Sequence, residues 1–275
     1  VDNPFDSGTD AYSRVRPDYP GRIVEQALAA PVGGTRRVVD LGAGTGKMTR
    51  LLLQRGLVVD AVEPAAAMRA QLASLGGRTA GAALVRGPAR LRVLDATAER
   101  TGLAEGSEDL VVCAQAWHWL DEPAAAREAH RVLRPGGAVA IVWNQMDVAV
   151  PWIHRLTRIM RSGDVHRPDR PPHLGAAFTV PELTQVEWAD AMTPERLMEL
   201  GTTRSSYLRA DPAQRRRMQG NLSWYLFDHR GLVPGIPVAI PYTTLLWTAR
   251  RTPVPDPVPD PGEVRSVRGS KSALF

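Results

Sequence analysis

The chain has 275 residues and a single cysteine, Cys113, which suits one elaborated domain and excludes an internal disulfide framework. Its 34 basic and 29 acidic residues give a net charge of +5, carried almost wholly by arginine, since lysine occurs only at Lys47 and Lys271. No apolar run approaches a membrane span, and the opening VDNPFDSGTD has neither the basic region nor the apolar core of a secretion signal, so a cytoplasmic protein is expected.

In chain order, the pattern predicts a helix over 21–30, a strand over 38–41, a helix over 46–55, a strand over 57–63 and a helix over 65–75. The Gly- and Ala-rich stretch 76–89 exceeds a usual connection and reads as a surface insertion or short lid. Strands follow at 90–94 and 109–114. A helix with Pro123 in its first turn then runs to Leu133, where Pro135, Gly136 and Gly137 stop it. A strand at 138–142, a helix from Pro151 to Arg161 and a Pro- and His-rich loop up to Leu174, expected over the substrate side, come next. Thr193 before Pro194 and Asp211 before Pro212 each offer a capping side chain ahead of a first-turn proline, so two helices start there. Strands at 184–188 and 241–248 complete a sheet of seven. The expected architecture is α/β: a doubly wound, mostly parallel seven-stranded sheet with helices on both faces. It forms one domain over 1–251, with helical substrate-side insertions after the fifth strand and a proline-rich tail, 252–275, expected to be disordered.

The first strand runs into Gly42, Gly44 and Gly46, and the next strand ends at Glu63, about 20 residues beyond the first glycine, the offset of ribose recognition. That order describes the floor of a nucleoside-type cofactor site. The G-x-G-x-G spacing differs from the G-x-G-x-x-G of dinucleotide sites and argues against NAD. The histidines His130, His154, His166, His173 and His229 are scattered without metal-ligand spacing, so no metal is expected. Arg215, Arg216 and Arg217 fall in an amphipathic helical pattern, which reads as a solvated face, and nucleic acid is not an expected partner.

Five stretches, VVDLGAGTGKMT (38–49), VVDAVEPAAAM (58–68), LDATAE (94–99), DLVVCAQAWHWLD (109–121) and RVLRPGGAVAIVW (131–143), together resemble the successive motifs of class I S-adenosylmethionine-dependent methyltransferases. AYSRVRPDYP (11–20) and the HWLD step resemble the subgroup that contains trans-aconitate methyltransferase and its small-molecule relatives. The resemblance implies a Rossmann-like methyltransferase fold, S-adenosylmethionine as cofactor and a small-molecule acceptor, a carboxylate or a natural-product hydroxyl. It assigns Gly42, Gly44, Thr45 and Gly46 to the methionine moiety, Asp40 to its amino group, Glu63 to the ribose, Pro64 and Met68 to the adenine wall, and Asp95 and Ala96 to the adenine edge. Tyr12 and Arg16 belong to a segment that folds over the cofactor in this subgroup, and Arg16 is matched to the cofactor carboxylate. Gln115 and Trp117 leave the fourth strand toward the cofactor. His118, Trp119, Trp143, Asn144, Arg204 and Tyr207 are the substrate-side candidates; His118 is either a general base or a positioning group, with positioning preferred.

Overall fold

The computed structural model describes residues 13–75, 90–162 and 166–253. The insertion read at 76–89, the Tyr12 assignment and all but the first two residues of the tail fall outside them. Seven strands form one sheet in the order β3-β2-β1-β4-β5-β7-β6. The five strands β1 (Arg37–Leu41), β2 (Val58–Val62), β3 (Arg90–Leu94), β4 (Glu108–Ala114) and β5 (Leu133–Met146) run parallel. β7 (Val238–Arg250) inserts antiparallel between β5 and β6 (Glu182–Met192). The order reverses between β1 and β4, which opens a crevice at their carboxyl ends.

The two-residue period of the strands divides the core. Val38, Leu110, Val112, Ala138, Ala140 and Val142 pack on one face under the helices α1 (Gly21–Ala29) and α2 (Lys47–Leu53). Val39, Leu41, Val111, Cys113, Val139 and Ile141 face the other way, toward α4 (Glu122–Val132), while α3 (Ala66–Ala73) follows β2. Each fully buried aliphatic side chain contributes about 2 kcal/mol, so both faces are strongly specified. Asp121 caps α4 by accepting from the Ala124 amide, with Pro123 in the first turn.

Beyond β5 the chain builds a helical cap from α5 (Pro151–Ile159), α6 (Pro194–Thr202), the single turn α7 (Ser205–Leu208) and α8 (Pro212–Ser223). Thr193 caps α6 and Asp211 caps α8, the latter with Gln214 in a reciprocal capping box, as the two proline steps predict. Ile153, Leu156, Leu197, Leu200, Leu222 and Leu226 pack against Met146, Ile240 and Tyr242 from the sheet.

Three strands outrun their sequence patterns, β7 at both ends of its expected 241–248. β5 continues through Asn144 and Gln145 to Met146 because β7 pairs along its whole outer half, Ala138 with Arg250 through Met146 with Tyr242. β6 spans eleven residues, paired among the described residues only to β7, and its half-exposed alternation hides its ends. The domain also extends past residue 251: the Thr252 amide donates to the Ala177 carbonyl and its hydroxyl to the Ala176 carbonyl.

Candidate functional site

A cavity of about 430 Å³ lies at the carboxyl ends of β1, β2, β4 and β5, within the size range of small-molecule sites. Its floor is the turn between β1 and α2, where Gly42, Gly44 and Gly46 all have positive φ. Their surroundings separate them. A Cβ on Gly42 would stand 2.6 Å from the Ala116 Cβ, and one on Gly46 2.4 Å from Leu75 Cδ1, so these two permit close packing of the fold. A Cβ on Gly44 would meet nothing nearer than Met68 Sδ at 3.8 Å, which leaves this glycine facing open space in the cavity. Gly42 and Gly44 line the cavity and Gly46 does not.

Two carboxylates meet behind the turn. Asp40 is 1% exposed; its Oδ2 accepts from the Thr49 hydroxyl at 2.6 Å, and its buried Oδ1 has no hydrogen-bond partner among the described residues. Burial pushes its carboxyl up to about 7, with the Thr49 bond opposing and the Glu63 charge adding. Glu63 accepts from the Gly44 amide at 2.9 Å and the Ala65 amide at 2.8 Å, which aims its carboxylate along the cavity wall. Thr45, Pro64 and Met68 complete that wall.

The N-terminal segment crosses the mouth and is pinned at several points. Arg16 donates to the Thr203 hydroxyl at 3.0 Å and carbonyl at 2.9 Å, tying the segment to the junction of α6 and α7. Burial opposes ionisation of the Asp18 carboxyl, yet Lys47 and Arg50 outweigh it and hold the group below its usual range. The Asp18 carbonyl accepts from Asn144 Nδ2 at 2.9 Å. Asn144 Oδ1 in turn accepts from the Thr244 hydroxyl, which accepts from Trp188 Nε1, so a chain of bonds runs from β6 across β7 and β5 to this segment.

Gln115, the first residue beyond β4, has φ 61°, a conformation that strains a non-glycine residue. Its amide donates to the Val142 carbonyl at 2.8 Å and its side chain to the Asn144 carbonyl at 2.6 Å, and these bonds hold it against the cavity. Trp119, half-exposed, also lines the cavity, as do Asn144 and Arg204.

Several sequence candidates stand elsewhere. Trp117 is fully buried in the core beneath α4, because the single 3-10 turn Trp117–Trp119 sends alternate rings inward and outward. The Asp95 carboxylate is drawn outward to Arg69 at 2.7 Å, and Ala96 packs on the core, so Thr97, Ala98 and Glu99 line the cavity in their place. Tyr207 lies beneath the Arg215 guanidinium, outside the cavity lining. Trp143 is buried; its indole donates to His118 Nδ1 at 3.3 Å and stacks on the His166 ring at 4.3 Å. His118 is likewise outside the lining. An indole N–H only donates, so the Nδ1 lone pair of His118 is engaged and the neutral ring carries its proton on Nε2. In the loop before Leu174, the His166 backbone exchanges two hydrogen bonds with the side chain of Gln145, a residue of the cavity lining.

The cavity is also lined by Tyr19, Lys47, Gln145, Thr157, Ser162 and Tyr242, none of which was a sequence candidate. Tyr19 and Lys47 lie inside motifs already quoted, and the scarcity of lysine was a usable signal for Lys47. Tyr242 sits at an inward position of an alternating strand and carries no such signal.

The family described as methyltransferase domain matches residues 39–141, from β1 to the middle of β5. An uncharacterized methyltransferase of Mycobacterium tuberculosis is 41% identical over 88% of this chain and 93% of its own length. An uncharacterized methyltransferase of Schizosaccharomyces pombe is 28% identical over 77% of this chain and 82% of its own. Among solved structures, a provisionally assigned type II methyltransferase of Anaeromyxobacter dehalogenans superposes with a TM-score of 0.60 over 87% of this chain and 99% of that one, at 22% identity, a likeness of fold. With the glycine turn, the acidic strand end and the 3-2-1-4-5-7-6 sheet in place, the chain belongs to the class I S-adenosylmethionine-dependent methyltransferases.

Proposed function

We propose that the cavity binds S-adenosylmethionine across the ends of β1, β2 and β4, and that the chain methylates a small-molecule carboxylate or natural-product hydroxyl held under the helical cap. The observation that carries the binding mode is the buried, unpartnered Oδ1 of Asp40 at the cavity wall. Such an oxygen calls for a donor, and the cofactor's α-ammonium is one of matching charge. Glu63, oriented by two amides, presents its carboxylate to the ribose hydroxyls. Gly44 and Thr45 bring backbone against the methionine moiety, Pro64 and Met68 flank the adenine, and Thr97 and Ala98 replace Asp95 and Ala96 at its edge. Arg16, pinned to Thr203, closes the mouth.

When bound, the cofactor supplies an electrophilic sulfonium methyl. The protein's part is alignment, exclusion of water and control of the field. His118 acts by position: it stands outside the cavity lining with Nδ1 accepting from Trp143 and its ring against Trp119, so it supports the Trp119 wall and does not remove a proton from the acceptor. Calorimetry with S-adenosylmethionine and S-adenosylhomocysteine tests the reading. Gly44→Val is expected to abolish binding while the far-UV spectrum is kept, and Glu63→Ala to weaken binding by about 1–3 kcal/mol. Preferential binding of NADH over both sulfur ligands overturns it.

A further inference from the structure

A second cleft, about 630 Å³, opens between the cap helices α5 and α8 and shares no lining residue with the methyl-transfer cavity. Arg155 and Arg158 of α5, with Arg161 just beyond its end, recur at three-residue spacing on one wall. Gln214, Arg217 and Asn221 of α8 recur at three and four residues on the other. The triple arginine 215–217 is thereby divided: Arg215 donates to the Tyr207 and Leu208 carbonyls, Arg216 is exposed outside the lining, and Arg217 lines the cleft. Four guanidinium groups share one concavity, and no acidic residue stands among its described lining. None of the four forms an ion pair among the described residues.

Two of these arginines are placed by local structure that the helices themselves do not call for. Arg161 sits at φ 47° where α5 ends, its amide donating to the Arg158 carbonyl and the Ser162 amide to the Thr157 carbonyl. Glycine adopts this helix-ending conformation without strain, whereas arginine does not. The Ser206 hydroxyl donates to the Arg161 carbonyl at 3.0 Å and fixes the turn. Arg155 is oriented by rings. The π-helical stretch Trp224–His229 presents Trp224 and Tyr225 to its guanidinium at 5.8 and 5.2 Å, and its Nη1 donates to His229 Nε2 at 3.3 Å. Neutral rings hold a guanidinium in place and leave its charge uncompensated.

We propose that this cleft binds a small polyphosphorylated ligand, with Arg155, Arg158 and Arg161 gripping its phosphate groups from one wall and Arg217 from the other. Guanidinium forks match phosphate oxygens bidentately, and linked phosphates bring several negative charges with oxygens facing both walls at once. Gln214 and Asn221 add neutral amide donors. The volume lies in the small-molecule range, and the charges converge on one concavity where a nucleic-acid surface would carry them along a groove.

The test titrates the full chain calorimetrically at about 0.15 M salt with tripolyphosphate, orthophosphate, tricarballylate and a short oligouridylate. Tripolyphosphate is expected to bind once per chain in roughly the micromolar range, at least about tenfold tighter than the other three. Arg158→Gln and Arg217→Gln should each weaken it about tenfold, while Arg216→Gln, on the same helix as Arg217 but outside the lining, changes it by less than about twofold. Arg161→Gly should also weaken it and yet melt no lower than the wild type, since the strained position is relieved; a structural arginine would be missed on removal. Absence of tripolyphosphate binding below about 1 mM, or full affinity in both Arg158→Gln and Arg217→Gln, overturns the site. Equal losses in Arg216→Gln and Arg217→Gln overturn it in favour of diffuse surface charge. Oligouridylate binding tighter than tripolyphosphate overturns it in favour of a nucleic-acid surface.

Discussion

A carboxylate buried as deeply as Asp40 stabilises the apo fold only while it holds its proton. Its folded-state value near 7 lies above the ordinary 3.8, so its contribution is complete below the latter and is lost as pH rises through the former. Asp40→Asn keeps an acceptor for the Thr49 hydroxyl and removes the charge. The apo variant is therefore expected to be more stable than the wild type by on the order of a few kcal/mol at pH 8, with the difference shrinking toward pH 4, in paired urea titrations. The same variant should lose cofactor binding, because the amide cannot neutralise an ammonium. A difference independent of pH would show that Asp40 does not titrate in this range. His118 gives a second residue-scale expectation. His118→Gln should lower turnover by less than about tenfold at saturating cofactor and leave its pH profile flat between about pH 6 and 9, since a positioning group and not a base is being replaced. A loss of a hundredfold or more, with an inflection near the histidine range gone, would make it the base. Residues of this kind differ in how far sequence exposes them. That Gly42, Gly44, Asp40 and Glu63 reach the cavity was legible because backbone geometry at a strand end dictates their type and spacing, whereas Gly46 packs against Leu72 and Leu75 outside it. Trp117 was not, because which ring of a Trp-His-Trp step turns inward is set by the 3-10 turn and the core beneath α4.

Among the elements, the N-terminal segment and the outer strands are coupled through side chains. Trp188, Thr244, Asn144 and the Asp18 carbonyl form one continuous path of hydrogen bonds, and Thr244 is fully buried within it. Asn144→Ala removes the acceptor for the Thr244 hydroxyl and the donor to Asp18 together. Its expected cost is about 1–3 kcal/mol of stability from the stranded hydroxyl, together with faster release of S-adenosylhomocysteine in stopped-flow fluorescence as the segment loosens. Thr244→Val in the same background removes the stranded hydroxyl but also the acceptor of Trp188 Nε1, so it should recover little of the stability and none of the slow release. If release is unchanged in Asn144→Ala, the segment is held by its other contacts, those of Arg14 with Glu199, Arg16 with Thr203 and Asp18 with Lys47 and Arg50. The same strands mark where pattern reading reached its limit. Helix starts at Pro194 and Pro212 were predicted from capping chemistry that is local in sequence. The ends of β5 and β6 were not, because they depend on hydrogen bonds offered by β7, a strand some hundred residues from β5, and polar Asn144 and Gln145 look like a loop until that partner is in place.

Taken as a whole, the molecule joins a parallel half that forms the cavity floor to a helical cap on its other side, with residues of the N-terminal segment lining the cavity between them. A ligand that touches all three should stabilise them together and report on their cooperation. Binding to the folded state alone adds RT ln(1 + [L]/Kd), about 2.7 kcal/mol at a hundredfold excess over Kd. For a chain of this size each kcal/mol moves the melting temperature by roughly 2–4 °C, so S-adenosylhomocysteine at that excess should raise it by about 5–11 °C in a single transition. The sign of the pH dependence follows from Asp40. An ammonium partner favours the ionised carboxylate, so binding must expel a proton wherever the apo group is protonated, below about 7. The thermal rise at fixed ligand concentration should thus be smaller at pH 6 than at pH 8, and calorimetry at pH 6 should detect proton release that vanishes at pH 8. Two separate melting steps, only the first of them shifted by ligand, would mean that the cap folds apart from the sheet. An equal rise at both pH values, without proton release, would remove Asp40 from contact with the cofactor's ammonium group.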